Sequence, residues 1–264
     1  MTVLSNCFNN LFSNNMTVKS IGISQVLLTK EIQLFLFDSN AINKNILDYI
    51  SKKYLHENEA KTLHQRKKPQ AQQEFIISRL LIKLLYINQT DKTLNEIEIK
   101  FNEKHLRLEM FYLDKLLPIS ISLSHSKGLI FIALSLSNVS LGVDIEHING
   151  KRDIESLAKN YYHLSEIEQL EHRDKSAFYR IWTLKEAISK HLKQPIVTTL
   201  KQDIFEKLSW CYYQSTVYDD FDLSFVVEKT KQLLSNNLIT LISPQEFLDS
   251  FIDSTVMELI ASNE

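Results

Sequence analysis

The segment Ser120 to Lys193 constrains this chain more than any other. It holds Ser124-His125-Ser126, then Gly142-Val143-Asp144-Ile145-Glu146, then Trp182-Thr183-Leu184-Lys185-Glu186-Ala187 running on to Lys190. Residues two apart on a strand leave the same face, so Asp144 and Glu146 project together while Val143 and Ile145 point into a core. On a helix at about 100° per residue, Phe178, Ile181, Leu184, Ile188 and Leu192 form one apolar stripe. Trp182, Glu186 and Lys190, at i, i+4 and i+8, form a second. A Glu-to-Lys pair on an exposed helix face has the same spacing, and an alternating surface strand has the same pattern as the Asp-Glu pair. Taken together, three carboxylates with oxygen-only donors suit Mg²⁺, which takes a few carboxylates, waters and substrate phosphates.

Around this segment the chain reads as helices packed on small, mostly antiparallel sheets, twice over. Short strands are predicted over 23–28 and 32–37, and an amphipathic helix over 42–54. A long helix is predicted over 70–86, and a strand pair over 94–108 around Asn102-Glu103-Lys104-His105. Strands follow at 119–123, 129–137 and 139–145. In the second half, helices are predicted at 154–159, from Ser165 with Glu168 as a capping box, and over 175–192. Strands at 210–217, 223–227 and 238–242 and a closing polar helix complete the pattern. The expectation is an α+β protein of two similar α/β halves in pseudo-twofold arrangement: an N-terminal half over 20–138 and a C-terminal half over 139–264. Residues 1–19, rich in Asn and Ser, read as a loose extension. Met16-Thr17-Val18 repeats Met1-Thr2-Val3, which makes Met16 a second candidate start.

Several function classes fall away on bulk properties. A formal charge of −2 argues against bulk nucleic-acid binding, which needs a clear cationic excess. The apolar runs fall far short of the roughly 18–20 residues of a membrane span. The Asn-rich start has no basic n-region followed by an apolar h-region. Two cysteines, Cys7 and Cys211, make neither a disulfide framework nor a metal cluster. A soluble, cytoplasmic protein is expected. Basic groups do occur locally: His64, Arg66, Lys67 and Lys68 form a stretch that reads either as a solvated helix end or as an anion contact. Arg79 and Lys83 are i, i+4 neighbours, placed to grip one anion together. His125 reads either as a structural histidine or, with the Ser124 hydroxyl, as a phosphate contact.

In combination and order, Ser-His-Ser, Gly-Val-Asp-Ile-Glu and Trp-Thr-Leu-Lys-Glu-Ala with Lys190 resemble the 4′-phosphopantetheinyl transferase superfamily. The length and the two-half pattern resemble its Sfp-type branch, in which both halves lie in one chain, and the likeness covers about residues 20–245. The resemblance implies Mg²⁺-dependent transfer of 4′-phosphopantetheine from coenzyme A to a serine of an acyl or peptidyl carrier protein, releasing 3′,5′-ADP. It implies metal ligation by Asp144, Glu146 and Glu186, and Lys190 approaching the reacting phosphates. Ser124 and His125 fall near the coenzyme A phosphates. Lys104 matches the lysine of a Gly-Lys-Pro-x-Leu element, here without its Gly or Pro. The basic stretch around Arg66 and Arg79 matches the 3′-phosphate contact. Either Glu186 or a water on the metal serves as base. A monomer suffices for such a chain. Two other readings fit the same residues: a Mg²⁺-dependent phosphohydrolase of a coenzyme A-like diphosphate, and a non-catalytic binder of coenzyme A or of a partner.

Overall fold

The computed structural model describes residues 11, 15–170, 175–229 and 234–251. In chain order, β1 (Thr17–Ser20) and β2 (Ile32–Asp38) precede α1 (Lys44–Tyr54), α2 (Glu57–His64) and α3 (Pro69–Ile87). Next come β3 (Ile97–Asn102), β4 (Arg107–Tyr112), β5 (Lys115–Leu116), β6 (Ser120–Ser126), β7 (Leu129–Ser135) and β8 (Leu141–His147). Helices α4 (Ile154–Tyr161), α5 (Leu164–Leu170), α6 (Lys175–Leu192), α7 (Ile196–Leu200) and α8 (Ile204–Trp210) follow. The chain then adds β9 (Cys211–Tyr218), β10 (Phe221–Glu228), β11 (Leu234–Leu241) and α9 (Pro244–Asp249). None of the described helices is long and apolar enough to cross a membrane.

The mixed α+β class holds, with helices packed on sheets. The strands divide unequally, however. One sheet has eight strands in the order β1-β11-β2-β7-β6-β4-β3, with β5 on β4; the other has three, β8-β10-β9. The larger sheet includes β11, which returns from the C-terminal part of the chain and pairs parallel with both β1 and β2. The division near residue 138 is therefore crossed by the backbone hydrogen bonding. Residues 17–19, expected in a loose extension, form β1 with Ser20 on this sheet, and Met16 just before it is buried at 4% exposure. The rest of that extension, apart from Leu11 and residues 15 and 16, lies outside the described residues, as does the chain beyond 251.

Three apolar layers explain the stacking. One face of the large sheet packs Phe35, Phe37, Ile130 and Ile132 against Ile46, Ile50, Ile77, Leu80 and Leu81 of α1 and α3. Its other face meets the small sheet through Leu34, Leu36, Phe131, Val143, Ile145, Leu223 and Phe225. The far face of the small sheet is covered by α6 and its neighbours, with Phe178, Ile181, Leu184 and Ile188 fully buried. The order is helices, sheet, sheet, helices. Such packing requires strands that are apolar on one or both faces, which Ile32–Asp38 and Leu129–Ser135 supply. Leu192, predicted on the apolar stripe of α6, is 42% exposed because the helix ends there.

Other local expectations change for identifiable reasons. Residues 23–25 form a 3-10 turn instead of a strand; Ile23 and Val26 are buried there, and Asn88 donates to the carbonyls of Ile23, Ser24 and Val26. Helix α5 is closed at its N-terminus by His163 and Glu166: the His163 amide donates to Glu166 Oε2 at 3.0 Å, while the Ser165 hydroxyl goes to Asp203 at 3.2 Å. The Ser165–Glu168 capping box does not form.

Gly142 is required by close approach. A Cβ there would fall 1.9 Å from the Ala187 carbonyl oxygen of α6. Gly142→Ala is therefore expected to destabilise the protein by about 3 kcal/mol, since the helix backbone must move to admit the methyl. Denaturant unfolding checks this; a variant as stable as the parent would show that α6 is free to shift.

Candidate active site

Three elements meet at the acidic centre. Strand β8 carries Asp144 and Glu146 on its α6 side, because Val143 and Ile145 are taken into the intersheet core at 0% and 1% exposure. Helix α6 brings Glu186 and Lys190 onto that face. Strand β6 supplies a row of hydroxyls.

That row was not recognised in the sequence, although its signal is plain: Ser120, Ser122, Ser124 and Ser126 alternate along β6. Strand β8 is an edge of the three-stranded sheet, and the outward amides of this strand and of the segment leading into it need acceptors. Ser120 accepts from Val139 N at 2.8 Å, Ser122 from Val143 N at 3.0 Å and Ser126 from His147 N at 3.1 Å. Side-chain oxygens thus do what a neighbouring strand would otherwise do. The same row reaches the acids: Ser124 Oγ donates to Asp144 Oδ1 at 2.6 Å, and Ser126 Oγ to Glu146 Oε2 at 3.3 Å. Ser124, expected at a coenzyme phosphate, here holds a carboxylate.

Lys190 Nζ donates to Val143 O and to Asp144 Oδ1, both at 2.9 Å. Asp144 is 2% exposed, and its second oxygen has no hydrogen-bond partner. Burial first, then the charges of Asp144 and Glu146, push Glu186 up to about 8 against the opposing pull of Lys190. Burial and the Asp144 charge also raise Glu146, while Arg152 and Lys190 pull it down. The centre is an excess of acid over cation in a partly dry place, and such a cluster is relieved by a positive ion. Among the described residues, no three His, Cys, Asp or Glu side chains stand ready-arranged as a metal cage. The donor set does fit a hard divalent cation: oxygen-only, mutually repelling, with one buried carboxylate oxygen unpaired.

The lysine inside the Trp-x-x-Lys-Glu motif has a different task. Lys185 is fully buried and pairs with Glu166 at 2.8 Å, and it donates to the carbonyls of Leu200 and Gln202 at 2.7 and 2.6 Å. It ties α6 to α5 and to the C-terminal end of α7, and so sets the rotation that aims Glu186 at β8.

The remaining predicted residues fall into separate groups. Arg66 and Arg79 flank the Phe75 ring, their guanidinium carbons 4.6 and 4.7 Å from its centroid. Nε of each is buried without a partner. Burial, with the Arg66 charge and against the pull of Glu59, brings Arg79 down to about 10. Two guanidiniums that repel each other would be eased by an anion within reach of both. Lys83 does not join them: its ammonium is fully buried and bound to Glu59 at 2.5 Å, so the expected Arg79–Lys83 grip does not form. The reason is geometric, since Glu59 also accepts from Ile99 N at 2.8 Å and fastens α2 to β3. His125 Nδ1 lies 2.9 Å from Glu74 Oε2. Lys104 is exposed in the β3–β4 turn, where Asn102 Oδ1 accepts from its amide at 3.0 Å. The open trough beside Lys190 is lined instead by Arg107, Lys193, Phe101, Leu106 and Val139. Of these, Arg107 and Lys193 carried no motif and were not singled out in the sequence.

Fold and site together define an α+β protein with an acidic centre at a strand edge, beside an open trough to which Lys190, Arg107, Lys193 and Phe101 contribute. Residues 140–236, which carry that centre, match the model of the 4′-phosphopantetheinyl transferase superfamily. The chain is similar to the 4′-phosphopantetheinyl transferase HetI of Nostoc sp. (strain PCC 7120), at 36% identity over 73 residues, 26% of this chain and 30% of that protein. It is also similar to a protein of Synechocystis sp. (strain PCC 6803) named "Putative 4'-phosphopantetheinyl transferase slr0495", at 28% identity over 141 residues, 52% of this chain and 56% of the other. The matched stretches span about a third and just over half of those relatives.

Proposed function

We propose that this chain transfers 4′-phosphopantetheine from coenzyme A to a serine hydroxyl of an acyl or peptidyl carrier protein, with Mg²⁺, releasing 3′,5′-ADP. The observation that carries this reading is the convergence of Asp144, Glu146, Glu186 and Lys190 at one point, on the segment similar to the transferase superfamily. The Sfp-type branch, with both halves in one chain, and a cytoplasmic monomer are part of the same proposal.

Phosphoryl transfer asks a protein mainly for in-line positioning and charge neutralisation. Asp144, Glu146 and Glu186 would hold Mg²⁺, which when bound offsets diphosphate charge and orients its oxygens. Lys190 supplies a second cation at the same point, where charge grows on the leaving side. Arg66 and Arg79 would bind the 3′-phosphate, and Lys104 and Arg107, on the β3–β4 hairpin, would lie along the nucleotide. Glu186, raised to about 8, is mostly protonated at neutral pH in the metal-free protein. With a cation held there Glu186 would be ionised, and its carboxylate could accept the serine proton.

The test is label transfer from a fluorescent coenzyme A to a panel of carrier proteins with Mg²⁺. Label on a carrier serine is expected; free phosphopantetheine would indicate hydrolysis, and neither product a binder. A second measurement needs no turnover. Mg²⁺ at about 100 times its Kd should stabilise the fold by about 2.7 kcal/mol, seen as a raised thermal midpoint. Asp144→Asn should lose that rise. A wild-type midpoint indifferent to Mg²⁺ would remove the metal from the scheme.

A further inference from the structure

Glu74 is a carboxylate that the proposed chemistry leaves unused, yet the fold buries it at 5% exposure. It sits in the second turn of α3, next to Phe75. Its Oε1 accepts from Gly128 N at 2.9 Å, and its Oε2 lies 2.9 Å from His125 Nδ1. Lys127 and Gly128 form the tip of the β6–β7 hairpin, at φ +52° and +90°. That tip is clamped from several sides. Asn40 Nδ2 donates to Lys127 O at 2.9 Å, Ser39 Oγ to Gly128 O at 2.6 Å, and Gln73 Nε2 to Ser39 O at 2.5 Å.

A carboxylate that only filled space here would be driven to its neutral form. Burial does push Glu74 up, but the His125 hydrogen bond and charge, the Gly128 amide and Gln70 outweigh it, and its pKa lies below the ordinary value. Ionised Glu74 has acceptors only, so His125 Nδ1 must carry the shared proton. The bond thereby chooses the tautomer of a neutral ring and fixes its rotation. The other nitrogen, Nε2, has no hydrogen bond to the described residues, and the side chain is 40% exposed while that of Glu74 is 6% exposed.

We infer that Glu74 is a positioning residue: its buried carboxylate holds the Nδ1–H of His125 and turns Nε2 outward, so that a proton taken up there from water makes an imidazolium that donates to a bound phosphate. This rests on the coenzyme A reading above. A purely structural Glu74 would serve Gly128 N alone, and the two roles separate in Glu74→Gln. The amide oxygen can still accept from Gly128, but the amide NH₂ then faces Nδ1 and drives the ring proton to Nε2.

Nitrogen-15 spectra of histidine-labelled, metal-free protein in alkaline buffer read the tautomer directly. His125→Ala assigns the signal. The wild type is expected to show Nδ1–H and Glu74→Gln to show Nε2–H, with unchanged melting. Coenzyme A affinity, by calorimetry, should fall about tenfold in Glu74→Gln, the scale of losing a carboxylate that orients a histidine. The double variant Glu74→Gln/His125→Ala should bind no more weakly than His125→Ala. A wild-type ring in the Nε2–H form would overturn the inference, and that measurement needs no variant to fold. Additive losses in the double variant, or an unchanged tautomer in Glu74→Gln, would overturn it too. A wild type that binds no coenzyme A would overturn the coenzyme A reading itself, and the spectra would still decide whether Glu74 sets the ring.

Discussion

Lys190→Ala is expected to slow single-turnover transfer to a carrier by roughly 10²–10³-fold, the scale of removing one preorganised electrostatic group. On sequence spacing alone, Lys190 is an i, i+4 partner of Glu186, and its loss would alter stability by only a few tenths of a kcal/mol. The structure changes that expectation. The ammonium is bonded to Asp144 and to the Val143 carbonyl, and Asp144 is 2% exposed. Without Lys190, Asp144 keeps only the Ser124 hydroxyl while facing Glu186. A loss of about 1–3 kcal/mol in metal-free buffer follows from leaving a buried charged group short of a partner. Lys190→Arg retains charge but cannot readily give up a proton. Rescue by arginine would assign a purely electrostatic role. A fully active Lys190→Ala protein would sink the assignment.

Glu186→Gln should separate function from stability in the opposite sense. Transfer is expected to fall by roughly 10²-fold or more, because a candidate metal ligand and base is lost. Metal-free stability should rise. In the folded protein the Glu186 carboxyl titrates at about 8, pushed there first by burial and then by Asp144. In the unfolded chain it titrates near the ordinary value of about 4.3. A raised carboxyl means that the folded state binds the extra proton, so stability is full at acid pH and is lost as pH climbs between those two values. Glutamine never ionises and escapes that loss. The variant and the wild type should therefore match near about pH 4 and differ by on the order of a few kcal/mol near about pH 9. Denaturant unfolding in chelator at both pH values checks this. Identical pH slopes would show that Glu186 is not held in a repelling cluster.

Much of the centre was readable because helix and strand periodicities are local. Asp144 and Glu146 share a face on any strand, and Glu186 and Lys190 share one on any helix, whatever surrounds them. The apolar alternation of Val143 and Ile145 was likewise enough to say which way the acids turn. Lys185 could not be assigned so easily. It lies next to Glu186 in the motif, but whether a lysine on that side meets solvent or a buried glutamate depends on α5, which only packing brings there.

Long-range pairing accounts for the rest. Nothing local in Leu234–Leu241 says that it will cross back and join β1 and β2, because strand pairing is settled by which edges are left open once the sheets have stacked. The serine row of β6 was visible as a pattern without a meaning until β8 was set beside it with unpaired amides. Arg79 and Lys83 share a helix face by spacing, and the position of Glu59 on another helix gave Lys83 an ion pair and left Arg79 with a buried Nε that has no hydrogen-bond partner. The sequence by itself determined the strand and the helix that carry the centre, the faces of β8 and α6 and the acidic and basic groups on them, since these follow from backbone periodicity. The tertiary structure alone decided which partner each charged group meets, because those contacts join residues tens of positions apart whose proximity no local rule encodes.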